Sequence, residues 1–194
     1  MLRRREVVAE LMLSRGDSLV VSSLGNPTYD LAATGDTAAN FYLWGAMGGA
    51  PALGLGLALA RPDRRVVVLA GDGEMMMALG SLATISAQRP LNLALLVLDN
   101  QAFAETGAQT GLTATGINLA AIASAAGFRR TLSIRQETEI AAMAEMIFHE
   151  EGPVFGKLEI AMSNDAKVFP EWQGEVLAKR TRQYLLDCEQ QNLS

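Results

Sequence analysis

Val66-Val67-Val68-Leu69-Ala70-Gly71-Asp72-Gly73-Glu74 decides the reading of this chain, together with Leu93-Ala94-Leu95-Leu96-Val97-Leu98-Asp99-Asn100 further on. Each stretch begins as an aliphatic run without polar alternation, the pattern of a strand covered on both faces. Each run then stops at oxygen-bearing side chains. The Met- and Ala-rich residues 74–88 between them predict a helix that closes before Pro90. Strand, helix and strand make one right-handed crossover, so the two strands lie parallel and end at the same edge. Asp72 and Asn100 therefore stand at the carboxyl ends of two buried strands, where open α/β sheets bind ligands. A carboxylate and an amide oxygen side by side suit Mg²⁺, which takes hard oxygen ligands and shares phosphate oxygens with one or two carboxylates. The backbone N–H groups of Gly73 and Glu74, opening a helix, suit a diphosphate. Gly-Asp-Gly alone is a common turn sequence; the strand before it and the helix after it set this one apart.

Outward from this stretch, helical and strand patterns alternate. Residues 3–13 carry Val7, Val8, Leu11 and Met12 at helical spacing, and Gly16 closes them. Residues 19–21 read as a strand, residues 22–27 as a loop and residues 28–33 as a short helix. Residues 40–45 are aromatic and extended, and lead into a Gly- and Ala-rich helix over residues 46–60. Gly54 and Gly56 in that helix each cost about 1 kcal/mol against Ala, so either a close approach or ordinary core packing explains them. Residues 101–118 show no period, and a loop that long is usually functional or disordered. Asn118 is placed to cap a helix reaching Ala126, with Gly127 ending it. A strand over 128–132, a helix over 136–150, a strand over 154–160 and a charged helix over 171–190 complete the chain. The alternation predicts an α/β fold in three layers, a mostly parallel sheet with helices on both faces, as one domain over residues 1–194.

Charge and composition narrow the function classes. With 194 residues and a net charge of −5, the chain lacks the concentrated basic face that nucleic acid requires. Cys188 is the single cysteine and His149 the single histidine, which excludes an internal disulfide and a multi-histidine metal site within the chain. The apolar stretch 46–60 is too short and too glycine-rich to span a membrane. No signal-peptide pattern is seen at the N-terminus, and a cytoplasmic protein is expected.

At this point the motifs resemble a family. Gly71-Asp72-Gly73 followed by Leu98-Asp99-Asn100 is similar to the diphosphate-binding motif of thiamine diphosphate enzymes, in which the pair at 99–100 is usually two asparagines. The resemblance implies a thiamine diphosphate-binding fold, with Mg²⁺ held by Asp72, the Asn100 side-chain oxygen and the backbone carbonyl of Ala102. The segment Asn40-Phe41-Tyr42-Leu43-Trp44-Gly45-Ala46-Met47-Gly48 resembles the part of the family that holds the aminopyrimidine. It implies that the Gly45 carbonyl accepts from the 4′-amino group and that Met47 wedges the cofactor into a bent shape; the plain alternative for Met47 is a core methionine. The loop Ser23-Leu24-Gly25-Asn26-Pro27 resembles one that reaches the active site. Gly80 to Ile85 and Glu105 to Thr110 resemble sulfopyruvate and phosphonopyruvate decarboxylases in particular. Two departures stand out. Glu74 occupies a position beside the diphosphate where Ser or Ala is common, and Ala102, Phe103 and Ala104 replace the usual Gly or Tyr.

The cofactor-binding residues implied are thus Gly45, Met47, Gly71, Asp72, Gly73, Glu74 and Asn100. The glutamate that activates the cofactor in this family matches none of the glutamates here, and no second domain fits in 194 residues. A pyrimidine-domain partner subunit is expected to supply it, in a hetero-oligomer acting on a small 2-oxo acid. Residues 41–44 and the Gly-rich helix are the expected contact faces. A carboligase of acetolactate-synthase type, an aldehyde-forming oxidoreductase component and a non-catalytic cofactor-binding protein remain open. A plain nucleotide-binding domain would need a Gly-x-Gly-x-x-Gly or a phosphate-loop lysine, and neither is present.

Overall fold

The computed structural model describes residues 1–191. In chain order its larger elements are α1 (Arg4–Met12), β1 (Leu19–Ser22), α2 (Asn26–Ala33), β2 (Asn40–Tyr42), α3 (Ala50–Ala60), β3 (Val66–Gly71), α4 (Asp72–Met77), α5 (Leu79–Gln88) and β4 (Leu93–Asp99). There follow β5 (Ala102–Phe103), β6 (Gln109–Thr110), α6 (Leu119–Ala126), β7 (Arg130–Ile134), α7 (Ile140–Phe148), β8 (Val154–Glu159) and α8 (Gly174–Gln191). Six strands form one parallel sheet in the order β2-β1-β3-β4-β8-β7, while β5 and β6 pair as a separate antiparallel hairpin. The expected three-layer α/β architecture is the observed one.

The aliphatic runs of β3 and β4 are buried because helices cover both faces. On one face Val67, Leu69 and Leu96 pack with Val8 and Leu11 of α1, Leu31 of α2 and Ile147 of α7. On the other, Val66, Val68 and Leu95 meet Leu55 of α3, Leu82 and Ile85 of α5 and Ala123 of α6. Each fully buried Val or Leu contributes about 1.5–3 kcal/mol relative to an exposed one. Arg65 closes the exit of α7: its guanidinium donates to the carbonyls of Ile147, Glu150 and Met146 at 2.7, 2.8 and 3.2 Å. It thereby satisfies carbonyls that a helix end leaves open.

Several boundaries differ from the expectation. The Gly-rich helix begins at Ala50, because residues 46–49 form a turn with Gly48 at φ 85°. The helix after Gly73 breaks at Ala78, which leaves the helical region at φ −99°, ψ 18°. The seventh strand is Arg130–Ile134; Phe128 lies before it and packs edge-on against Phe155. The helix expected over 136–150 opens as a 3₁₀ turn at Glu137–Glu139, held by a reciprocal Gln136–Glu139 capping box. The unpatterned residues 101–118 contain the small hairpin and two 3₁₀ turns, one of them Leu112–Thr115.

Chain order fixes where the site sits. β1 leads through α2 to β2 on one side, and β3 leads through α4 and α5 to β4 on the other. The loops after β1 and β3 thus leave in opposite directions and open a crevice at the carboxyl edge, the topological switch point of an open sheet.

Candidate cofactor-binding site

A cavity of about 320 Å³ lies at this crevice. Its walls are built from strand ends: Gly25, Asn26 and Pro27 after β1, Met47 after β2, Asn100 and Ala102 after β4. Gly71, Asp72, Gly73 and Glu74 come from the end of β3 and the start of α4. Of the residues expected at the site, Gly45 alone lies outside the wall; it forms the turn that leads to Met47, at φ 72°.

Gly73 sits where two apolar groups close in. A Cβ there would lie 2.8 Å from Phe103 Cε1 and 3.5 Å from Met47 Cε. Met47 is not a core methionine: it is 39% exposed and borders the cavity. The loop after β1 is braced by Ser22 and Thr28, whose hydroxyls are 2.8 Å apart. Pro27 in the first turn of α2 presets that helix start, which faces the cavity.

Asp72 is only 3% exposed. Its Oδ2 accepts the Thr113 hydroxyl at 2.9 Å, and the same hydroxyl lies 2.8 Å from Asp99 Oδ1. Burial pushes the Asp72 carboxyl above the usual range; the Thr113 hydrogen bond opposes this and the charge of Asp99 adds to it. Asp99 Oδ2 lies 3.3 Å from Lys157 Nζ, which donates at 2.9 Å to Glu159 Oε1. Arg135 donates to the same oxygen at 2.9 Å. A line of paired charges thus runs from the surface to the cavity wall. Asn100 Oδ1 accepts the N–H of Ala102 at 3.0 Å, which fixes the turn out of β4 and keeps the amide oxygen at the cavity.

Glu74 is buried, and its Oε1 has no hydrogen-bond partner. Burial pushes its carboxyl up to about 7, opposed by the Ser23 hydroxyl and the N–H groups of Ala50 and Gly48. The carboxyl thus lies beside the start of α3, where the helix dipole favours negative charge.

Among the described residues, no group of three or more His, Cys, Asp or Glu side chains converges to cage a cation. A cation at this wall would take Asp72, the Asn100 oxygen and a backbone carbonyl, with its remaining oxygens from a phosphate ligand and water. That donor set, hard oxygens around a single carboxylate, is the one Mg²⁺ accepts when it is bound with a diphosphate.

Sequence reasoning missed Thr113, Lys157 and the approach of Arg4 to the cavity. Thr113 lies in the unpatterned stretch and carries no local signal; Lys157, a cation inside an otherwise buried strand, was one. The expected contact face over residues 41–44 is largely used within the chain. Tyr42 is buried, and the Trp44 indole N–H donates to the Glu171 carbonyl at 2.9 Å. Met77 and Leu112 are the exposed apolar side chains contributed by α4 and by the 3₁₀ turn that holds Thr113.

Residues 25–157 match the family of the thiamine pyrophosphate enzyme C-terminal TPP binding domain, and the chain belongs to that family. More particularly, it is 40% identical over 164 residues to the sulfopyruvate decarboxylase subunit beta of Methanothermobacter thermautotrophicus, across 84% of this chain and 85% of that one. It is also 40% identical over 144 residues to the phosphonopyruvate decarboxylase of Streptomyces viridochromogenes, covering 74% of this chain but 36% of that protein. The fold matches the thiamine diphosphate-dependent 4-hydroxybenzoylformate decarboxylase of Rhodococcus jostii with a TM-score of 0.66 at 15% identity, over 84% of this chain and 33% of that one. These relatives are decarboxylases. Among the described residues, no helix is long and apolar enough to cross a membrane.

Proposed function

We propose that this chain is the cofactor-holding subunit of a heteromeric, cytoplasmic, thiamine diphosphate-dependent 2-oxo acid decarboxylase of the sulfopyruvate or phosphonopyruvate type. Residues 1–194 act as a single cofactor-binding domain. The observation that carries the reading is the meeting of Asp72, Asn100 and Gly73 in one cavity beneath Met47.

Asp72, Asn100 and the Ala102 carbonyl hold Mg²⁺. The N–H groups of Gly73 and Glu74 and the start of α2 receive the diphosphate. Met47, on the cavity wall, would support the cofactor through apolar contact, and the Gly45 carbonyl would accept from its amino group. When bound, the cofactor supplies the electron sink for loss of CO₂. The activating carboxylate comes from a pyrimidine-domain partner. Two similarities support a partner: one relative is a beta subunit matched over most of its length, and another is a longer protein of which this chain spans 36%. A small 2-oxo acid is the substrate class, and nucleic acid is not a partner.

Calorimetry of thiamine diphosphate with Mg²⁺ against the chain and its Asp72→Ala variant tests the assignment. Every metal and diphosphate ligand named here lies in this chain, so uptake is expected without the partner. The variant is expected to bind at least about tenfold more weakly, the scale of one lost charge-assisted contact. Equal binding by both proteins would overturn the metal site.

A further inference from the structure

Thr113 touches two buried carboxylates with one hydroxyl. It belongs to the short 3₁₀ turn Leu112–Thr115, is itself buried, and reaches Asp72 across 41 positions of sequence. A hydroxyl carries a single proton, whereas ionised carboxylates only accept. Asp99 has other donors: the Gln101 N–H reaches its Oδ1 at 3.2 Å and the Lys157 ammonium its Oδ2 at 3.3 Å. Among the described residues, no other side chain is bonded to Asp72. Thr113 is thus the side chain that holds Asp72 Oδ2, whereas Asp99 keeps the Gln101 N–H and the Lys157 ammonium when the Thr113 proton turns to Asp72.

We propose that Thr113 is a positioning residue for the metal site: its hydroxyl ties Asp72 Oδ2 and so sets the direction of the carboxylate that receives the divalent cation. The inference rests on the proposed function and deepens it, because it names a residue outside the ligand set on which cation affinity depends. A carboxylate anchored through one oxygen need not be ordered when the cation arrives. Outer partners of this kind typically carry about 10–100-fold in metal affinity.

The test is Mg²⁺ titration of the full chain saturated with thiamine diphosphate, for the wild type, Thr113→Val and Thr113→Ser. Thr113→Val keeps the shape and removes the hydroxyl; it is expected to bind Mg²⁺ about tenfold or more weakly. Thr113→Ser keeps the hydroxyl and is expected within about threefold of wild type. A Thr113→Val protein that binds Mg²⁺ as the wild type does would overturn the inference. So would a Thr113→Ser protein as weak as Thr113→Val, because side-chain shape would then be the cause. If Thr113→Val does not fold, Thr113→Ala takes its place: about a tenfold loss that Thr113→Ser does not share upholds the inference, and wild-type affinity overturns it. A wild-type chain that takes up no Mg²⁺ would remove the proposed function together with this inference; uptake by the wild type with an unaffected Thr113→Val protein removes the inference only.

Discussion

Glu74 shows what a single residue gains from its surroundings. By sequence it is a carboxylate set awkwardly beside a diphosphate; in the fold it is a buried acid whose pKa stands at about 7. The folded state binds its proton more tightly than the unfolded chain does, whose value is 4.5. Its contribution to stability is thus full below about pH 4.5 and is lost as pH rises through about 7. Glu74→Gln removes that dependence. The variant is expected to be more stable than wild type at pH 8, by up to about 3 kcal/mol, and to lose this advantage at pH 4.5. Urea denaturation of the two chains at both values measures it. Asp72 and Asn100 were legible in the sequence because each ends a strand whose pattern is local. Thr113 and Lys157 were not, because their meaning lies in what they touch: Asp72 and Asp99 for the first, Asp99 and Glu159 for the second.

At the scale of elements, the two helix glycines separate cleanly. A Cβ on Gly54 would lie 2.2 Å from Val68 Cγ2, whereas one on Gly56 would meet nothing within 4 Å. Gly54 therefore lets α3 approach β3, and Gly56 is a glycine in an exposed helix position. Gly54→Ala is expected to destabilise by about 1–3 kcal/mol through overpacking. Gly56→Ala is expected to stabilise by about 0.5–1 kcal/mol through helix propensity. Thermal melts of both variants give the opposite signs directly. Periodicity located nearly every element here but not its ends. The break at Ala78 and the turn over residues 46–49 lie against each other: a Cβ on Gly48 would stand 3.2 Å from the Met77 Cβ. That contact joins segments with no common pattern.

At the scale of the molecule, Arg4 binds distant parts of the chain together. Its guanidinium donates to Asp30 at 2.5 Å, to the Asn26 carbonyl at 3.0 Å and to Asp165 at 3.3 Å. It thereby joins α1, the cavity end of α2 and the extended segment before α8. Arg4→Ala leaves Asp30, fully buried, with Arg5 as its remaining cation. The expected loss is about 3 kcal/mol, toward the lower end for one removed partner of a buried pair, read as a lower urea midpoint. The extended segment is tied down elsewhere too: Lys167 pairs with Glu105 at 2.8 Å, and Phe169 lies edge-on to Tyr29.

The sequence by itself determined the layers, the parallel strands, the sheet edge at which the cavity opens and the two oxygen-bearing side chains on it, Asp72 and Asn100. All of these follow from patterns repeated within a few residues, and burial on both faces leaves such runs one solution. The tertiary structure alone decided what surrounds those side chains: the Thr113 hydroxyl between Asp72 and Asp99, the Lys157 charge behind Asp99 and the closure of Phe103 over Gly73. These contacts join residues far apart in the chain, and hydrogen bonds and close packing are fixed by distance in space, which no local pattern encodes.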